Sequence, residues 1–257
     1  MRCDVPQAMF LGLVALLALG GTWSALDRRS QAAAWVRQTW RRLGARQLVA
    51  SAVAAIAFVA ICEDVVFRED DEIVLRLDSV VQQAAHLVAP SAAIRNLASF
   101  LSRLTGEGML ATVATAAACL VAVGRRRDGL VILFGTASAW ILSAGLKMAF
   151  GVVRPGSHQT WYEITGYGFP SAHTLVAVVG YGLLAVALGR NARPAVRAAL
   201  YAGALVFAAL TGAARLVLDV HWLSDVAAGF AIGVVWLNLV RLVAVAGRSD
   251  VGAGLGL

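Results

Sequence analysis

The sequence is short of charge. Of its 257 residues only 14% are Asp, Glu, Lys or Arg, while 60% are apolar. A soluble domain carries about 25% charged residues. The charges that exist are clustered, with long uncharged stretches between them. This argues against one large soluble core and for a protein of the bilayer. Cysteine is scarce as well. Cys3, Cys62 and Cys119 have neither metal-ligand spacing nor the even count of a disulfide framework. Cys62 and Cys119 fall in apolar segments and read as small core residues. No group of carboxylates or histidines has the spacing of a metal site, so no metal and no cofactor is expected. There is no long internal repeat, no low-complexity linker and no second domain. Lysine is almost missing: Lys147 is the only one, and every other basic position is Arg.

The formal net charge is +7. A basic balance raises the question of nucleic acid, but no basic face exists to bind it. The Arg residues lie at the ends of apolar segments, where membrane topology explains them. Seven stretches are long enough to cross a bilayer: Ala8–Leu26, Leu48–Phe67, Gly108–Gly124, Leu130–Phe150, Thr174–Gly189, Ala198–Val217 and Trp222–Val243. The expectation is an all-α, polytopic membrane bundle of six helices with one extra helix at the N-terminus. Its parts would be 1–47 (that helix and an Arg-rich cytoplasmic link), a core at 48–243, and a cytoplasmic tail at 244–257.

Loop charge sets the orientation. Arg28, Arg29, Arg37, Arg41, Arg42 and Arg46 follow the first segment. Arg125–Arg127 follow the third, and Arg190, Arg193 and Arg197 the fifth. These links face the cytoplasm by the positive-inside rule. The first segment reads as a retained helix, because removing it would strand the six-Arg link outside. The region 68–107 then lies on the outer side. Within it Ile73, Val74, Leu77, Val80, Val81, Ala84 and Leu87 recur at helical spacing, which predicts an amphipathic helix ended by Pro90 and Ser91.

Ionisable groups near membrane segment ends need a reason. Lys147 ends the fourth segment and Arg154-Pro155 follow, with Arg154 placed on the same helical face. A sequence that otherwise uses Arg keeps a compact ammonium here. Pro170-Ser171-Ala172-His173 opens the fifth segment, where helix N–H groups can hold an anion. Arg215 ends the sixth. His221 and Asp225 open the seventh, four apart, so the carboxylate can hold one imidazole nitrogen and leave the other free to attack. All three clusters fall on the outer side of a topology drawn from other residues. Three cations and two histidines suit phosphoryl transfer, which is mainly positioning and charge stabilisation.

These residues resemble the type 2 phosphatidic acid phosphatase superfamily of membrane lipid phosphatases. Its signature, K-x6-R-P, P-S-G-H and S-R-x5-H-x3-D, reads here as Lys147-x6-Arg154-Pro155, Pro170-Ser171-Ala172-His173 and Ala214-Arg215-x5-His221-x3-Asp225. Ala172 stands where the family has Gly, and Ala214 where it has Ser. The resemblance implies that Lys147, Arg154 and Arg215 bind phosphate oxygens, helped by Ser171 and the Ala172 N–H. It implies that His221 attacks phosphorus to form a phosphohistidine, that Asp225 orients it, and that His173 protonates the leaving oxygen. The same site occurs in vanadium haloperoxidases, which are generally soluble, unlike this chain.

The implied partners are a phosphorylated lipid and the bilayer, with oligomeric state left open. The implied place is a bacterial inner membrane with the site on its extracytoplasmic face. Hydrolysis, transfer of phosphate between lipid carriers, and lipid binding without catalysis all fit the resemblance. Isoprenyl pyrophosphate, phosphatidylglycerol phosphate, phosphatidic acid and a lipid A phosphate all fit as substrate. Between the first two motifs, His158, Trp161, Tyr162, Glu163 and Tyr167 form a loop that reads either as a cap whose aromatics sit in the interface or as one that also chooses among head groups.

Overall fold

A computed structural model describes residues 44–67, 72–155 and 166–246. The segment expected at Ala8–Leu26 lies outside them, as do most of the tail and His158, Trp161, Tyr162 and Glu163 of the loop. Among the described residues all regular structure is helical. The order is α1 (Ala45–Cys62), a π-helical turn (Glu63–Phe67), α2 (Glu72–Val88), α3 (Ala92–Thr105), α4 (Glu107–Ala122), α5 (Arg126–Phe150), α6 (Ala172–Gly189), α7 (Pro194–Val217) and α8 (Leu223–Ala246). The protein is an all-α integral membrane bundle. Among the described residues five helices are long and apolar enough to cross a bilayer: α1 with its π turn, α5, α6, α7 and α8. At 25 residues α5 spans about 37 Å, more than the hydrocarbon core needs. The third expected crossing, Gly108–Gly124, is α4, and its 16 residues are too few alone. It joins α3 through a 45° bend, and only the two together reach the length and hydropathy of a crossing.

The sequence explains where each helix sits. α6 is apolar all round and almost entirely buried, as the central member of a bundle must be. It packs on α5, α7 and α8, with α1 beyond α8 and α4 beyond α5. Leu175, Val176, Val179 and Leu183 of α6 meet Met109 of α4, Ile132 of α5 and Ala208 of α7. Small residues let the helices approach: a Cβ on Gly182 would lie 2.6 Å from the Leu237 side chain. Outward positions are large and apolar, as a lipid-facing surface requires. Phe134, Ile141 and Met148 recur every seven residues along one exposed stripe of α5. Cys62 is buried as expected, but Cys119 lies exposed on the bundle's outer surface. A lipid-facing position accepts a small apolar thiol as readily as a core does.

Arginines tie the Arg-rich end together. Arg125 donates to Asp128 and to the Ala187 carbonyl near the end of α6, 2.6 Å away. Arg127 donates to the Ala244 carbonyl near the end of α8. Cations at helix C-termini satisfy carbonyls that have no helical partner. The opposite end of the bundle carries the three motif clusters.

Candidate active site

α5 ends where Gly151 adopts φ 64°, and its N–H closes the helix on the Lys147 carbonyl at 3.0 Å. Only glycine takes that left-handed conformation without strain. The chain then runs without regular structure through Pro155. Arg154 is therefore not on the α5 face with Lys147, as its spacing suggested. It reaches the same place along an irregular segment. Lys147 Nζ donates to the carbonyls of Tyr167 (2.7 Å) and Gly168 (2.9 Å). Arg154 donates to Gly166 (3.2 Å) and Val220 (2.9 Å). Both cations hold the segment that leads into Pro170 and Ser171.

His221 and Asp225 also differ from expectation in their geometry. His221 lies in the turn before α8, and Asp225 is in that helix's first turn. Asp225 Oδ2 accepts from His221 Nδ1 at 3.0 Å and from the Trp222 N–H at 3.0 Å. The carboxylate folds the turn back and orients the ring in one move. Arg154 lies against the other ring nitrogen, with Nη1 3.3 Å from Nε2. A carboxylate at Nδ1 and a guanidinium donor at Nε2 assign the proton to Nδ1 and the lone pair to Nε2. His221 is only 1% exposed. Burial first, then the charges of Arg215, Arg154 and Lys147, hold its pKa well below the usual histidine range. The imidazole is thus neutral at neutral pH.

Arg215, near the end of α7, is buried and donates to Ser102 Oγ on α3 at 2.5 Å. Ser171 is the N-cap of α6 and is fully buried. Its N–H donates to the Asp225 carbonyl at 3.0 Å, which joins the second motif to the third. Its Oγ accepts from Thr174 Oγ1 at 3.1 Å and caps no backbone N–H. The first N–H groups of α6, beginning at Ala172, carry the positive end of the helix dipole. His173 packs edge-on against Trp140, ring centroids 6.1 Å apart. Its other neighbour is backbone: a Cβ on Gly106 would lie 2.8 Å from His173 Nε2. Ala214, in place of the family's Ser, sits in an apolar cluster with Ala98, Leu218 and Val220. Among the described residues no three His, Cys, Asp or Glu side chains group as a metal ion would need.

The positions that matched a lipid phosphatase signature in sequence thus gather at one end of one bundle. Residues 128–248 match the family model of the PAP2 superfamily. The matched stretch is just under half of the chain. Phosphatidylglycerophosphatase B of Bacillus subtilis (strain 168) is 32% identical over 117 residues, 44% of this chain and 57% of that protein. The chain thus matches little more than half the length of that curated relative. A solved structure, of the first transmembrane PAP2 type phosphatidylglycerolphosphate phosphatase from Bacillus subtilis, superposes with TM-score 0.67 at 22% identity. That match covers 78% of this chain and 96% of the other, and it establishes the shared fold. The match to the family model begins at Asp128, near the start of α5, so α1–α4 lie outside it.

Several neighbours of the PAP2 motifs were not legible in the sequence. Ser102, Gly106 and Gly168 each touch a motif residue from elsewhere in the chain. Gly229 is another: a Cβ there would lie 2.6 Å from the Ser171 carbonyl. Only glycine lets α8 approach the start of α6 so closely. Their spacing to the motifs is irregular, and glycine in membrane helices is common enough to hide them.

Proposed function

We propose that the chain hydrolyses a phosphate monoester or pyrophosphate on a membrane lipid, without a metal, through a phosphohistidine on His221. The observation that carries the reading is the oriented His221 ring. Its Nδ1–H is held by Asp225 at 3.0 Å and its Nε2 lone pair faces a guanidinium at 3.3 Å. Arg154, Lys147 and Arg215 bind the phosphoryl oxygens, with Ser171 Oγ and the Ala172 N–H adding donors. As phosphate arrives, the Arg154 guanidinium turns from Nε2 to a phosphate oxygen and frees the lone pair.

Nε2 then attacks phosphorus while the bond from phosphorus to the lipid oxygen breaks. His173, protonated, gives its proton to that oxygen, and the dephosphorylated lipid leaves. Neutral His173 next takes a proton from water, whose oxygen attacks the phosphohistidine. The P–N bond breaks, inorganic phosphate departs and His221 is restored. Fixed cations stabilise the charge that develops on the phosphoryl oxygens. The catalytic unit is the stretch 48–243, and the site faces the extracytoplasmic side of a bacterial inner membrane. That orientation rests on Arg125–Arg127 and Arg190–Arg197 at the other end. The name of the curated Bacillus relative puts phosphatidylglycerol phosphate first among the lipids to assay.

The test is phosphate release by the purified protein in detergent from the four lipid phosphates named above. Turnover should survive EDTA and fall with vanadate, an oxyanion that the cations would bind in place of phosphate. Complete loss in EDTA, restored only by a divalent ion, would sink the mechanism. Transfer to a second lipid would appear as turnover that depends on an added acceptor alcohol.

Gly106 offers a test of His173. Gly106→Ala pushes a methyl group against the ring, so the imidazole must move. Turnover should fall about 10- to 100-fold, the range expected for a misplacement near 1 Å. Lipid KM should change little. Wild-type turnover in Gly106→Ala would mean that the ring position does not matter.

A further inference from the structure

α2 turns two polar residues inward. Asp78 and Gln82 are buried with Ala85, while Ile73, Leu75, Leu77, Val80 and Leu87 are exposed together with Arg76, Ser79 and Gln83. The apolar residues expected to form one face of an amphipathic helix thus lie mostly on its outer side. A buried carboxylate needs strong partners. Asp78 has them in the first turn of α8. Oδ1 accepts from the Ser224 N–H at 2.8 Å and Oδ2 from Ser224 Oγ at 2.7 Å, across 146 residues of chain. Ser224 is the residue before Asp225. Farther along α2, His86 Nε2 lies 3.3 Å from Asp219 Oδ1, and Asp219 holds φ 58° two residues before His221. One helix thus touches the His221 turn on both sides, at positions 219 and 224.

We propose that Asp78 is a positioning residue for the His221–Asp225 pair, acting through Ser224. The inference rests on the function proposed above. The first N–H groups of α8 have no helical acceptor, and a carboxylate is the strongest one available there. Asp78 takes the N–H of Ser224, while Asp225 turns back to Trp222 and His221. Removing the Asp78 carboxylate leaves two buried donors of Ser224 without an acceptor. The α8 turn then loosens at the residue next to Asp225. An attacking nitrogen must be held within a fraction of an ångström, so rate suffers before substrate binding does. Asp78 touches neither His221 nor the phosphate-binding cations in any described hydrogen bond, so KM should be spared.

The experiment compares full-length wild type, Asp78→Asn, Asp78→Ala and Ser224→Ala in the same detergent. Asn keeps a carbonyl oxygen for the Ser224 N–H and an amide that the Ser224 hydroxyl can accept, so it should work within about threefold of wild type. Asp78→Ala should lower kcat about tenfold or more, with KM within about threefold. Hydrogen exchange at the amides from Trp222 to Val226 should quicken in Asp78→Ala, while those of α5 keep their protection. Where Asp78→Ala fails to fold, Ser224→Ala carries the comparison, with kcat lowered and KM kept. The proposal is overturned if kcat stays within twofold in the alanine variants. It is equally overturned if Asn is as impaired as Ala, or if exchange quickens throughout the bundle. Should wild type release phosphate from none of the lipids, the proposed function fails, and the exchange comparison alone decides the role of Asp78.

Discussion

His221→Ala is expected to lower phosphate release on the order of 10⁴-fold or more, the scale on which enzymes lose rate without their nucleophile. No phosphate from a labelled substrate should remain on the chain after a rapid quench. The geometry gives the reason. Nε2 is the imidazole nitrogen left with a lone pair, because Nδ1 is committed to Asp225 at 3.0 Å. The pKa of His221 is held low by burial and then by Arg215, Arg154 and Lys147. Its protonation therefore falls below the usual histidine range, and the nucleophile stays active as the medium becomes mildly acidic. An acid limb that His221 produces should lie lower than about 6.5, the ordinary histidine value. Trapped phosphate on His173, or a covalent intermediate in His221→Ala, would reverse the assignment. Asp225→Asn is the companion variant: it should keep phosphate binding and lose most of the rate, because the ring loses its carboxylate.

His173→Ala should show a loss that depends on the leaving group. For a lipid alkoxide the loss is expected at about 10²- to 10⁴-fold, the range for general acid catalysis. For a nitrophenyl phosphate the loss should be much smaller, since nitrophenolate departs without a proton. The difference isolates proton donation from phosphate binding, which both substrates need equally. An equal loss on both substrates would make His173 a binding or structural residue. Its setting, between the Trp140 ring and the Gly106 backbone, limits how the ring can turn.

Much of this site was legible in the sequence because its spacing is rigid. Lys147 and Arg154-Pro155 span one helix end, Ser171-Ala172-His173 one helix start, and Arg215 to Asp225 one tight turn. Short-range geometry of that kind follows from a few bonds and survives without knowledge of the fold. The local details were less legible. Arg154 was placed on a helical face, but Gly151 ends α5 before it. His221 and Asp225 were placed on one helix, but only Asp225 is on α8 and His221 lies in the turn before it. In both cases the right separation was reached through a different backbone.

The missing parts are those set by tertiary contact. α3 was read as part of an outer loop, because Arg95 and Arg103 interrupt its apolar pattern. Yet it supplies Ser102 to Arg215 across 113 residues. Asp78 looked like one acid among several near Glu69–Glu72, and only its contact with Ser224 distinguishes it. The main fold features were legible because hydropathy and loop charge are strong signals in membranes. The inward placing of Asp78 and Gln82 on α2 was not, since periodicity gives the width of an apolar face but not which way it turns.

Under the proposed function, the resting partners of the three cations bear on how product leaves. Lys147 rests on the Tyr167 and Gly168 carbonyls, Arg154 on Gly166 and Val220, and Arg215 on Ser102. A pocket of bare cations would clutch inorganic phosphate as firmly as the transition state. Here each departing oxygen is replaced at once by a neutral protein oxygen already within reach. Free phosphate therefore competes with those acceptors for the same donors. Under the proposed mechanism, product inhibition by inorganic phosphate should accordingly be weak, read as the phosphate concentration that halves turnover.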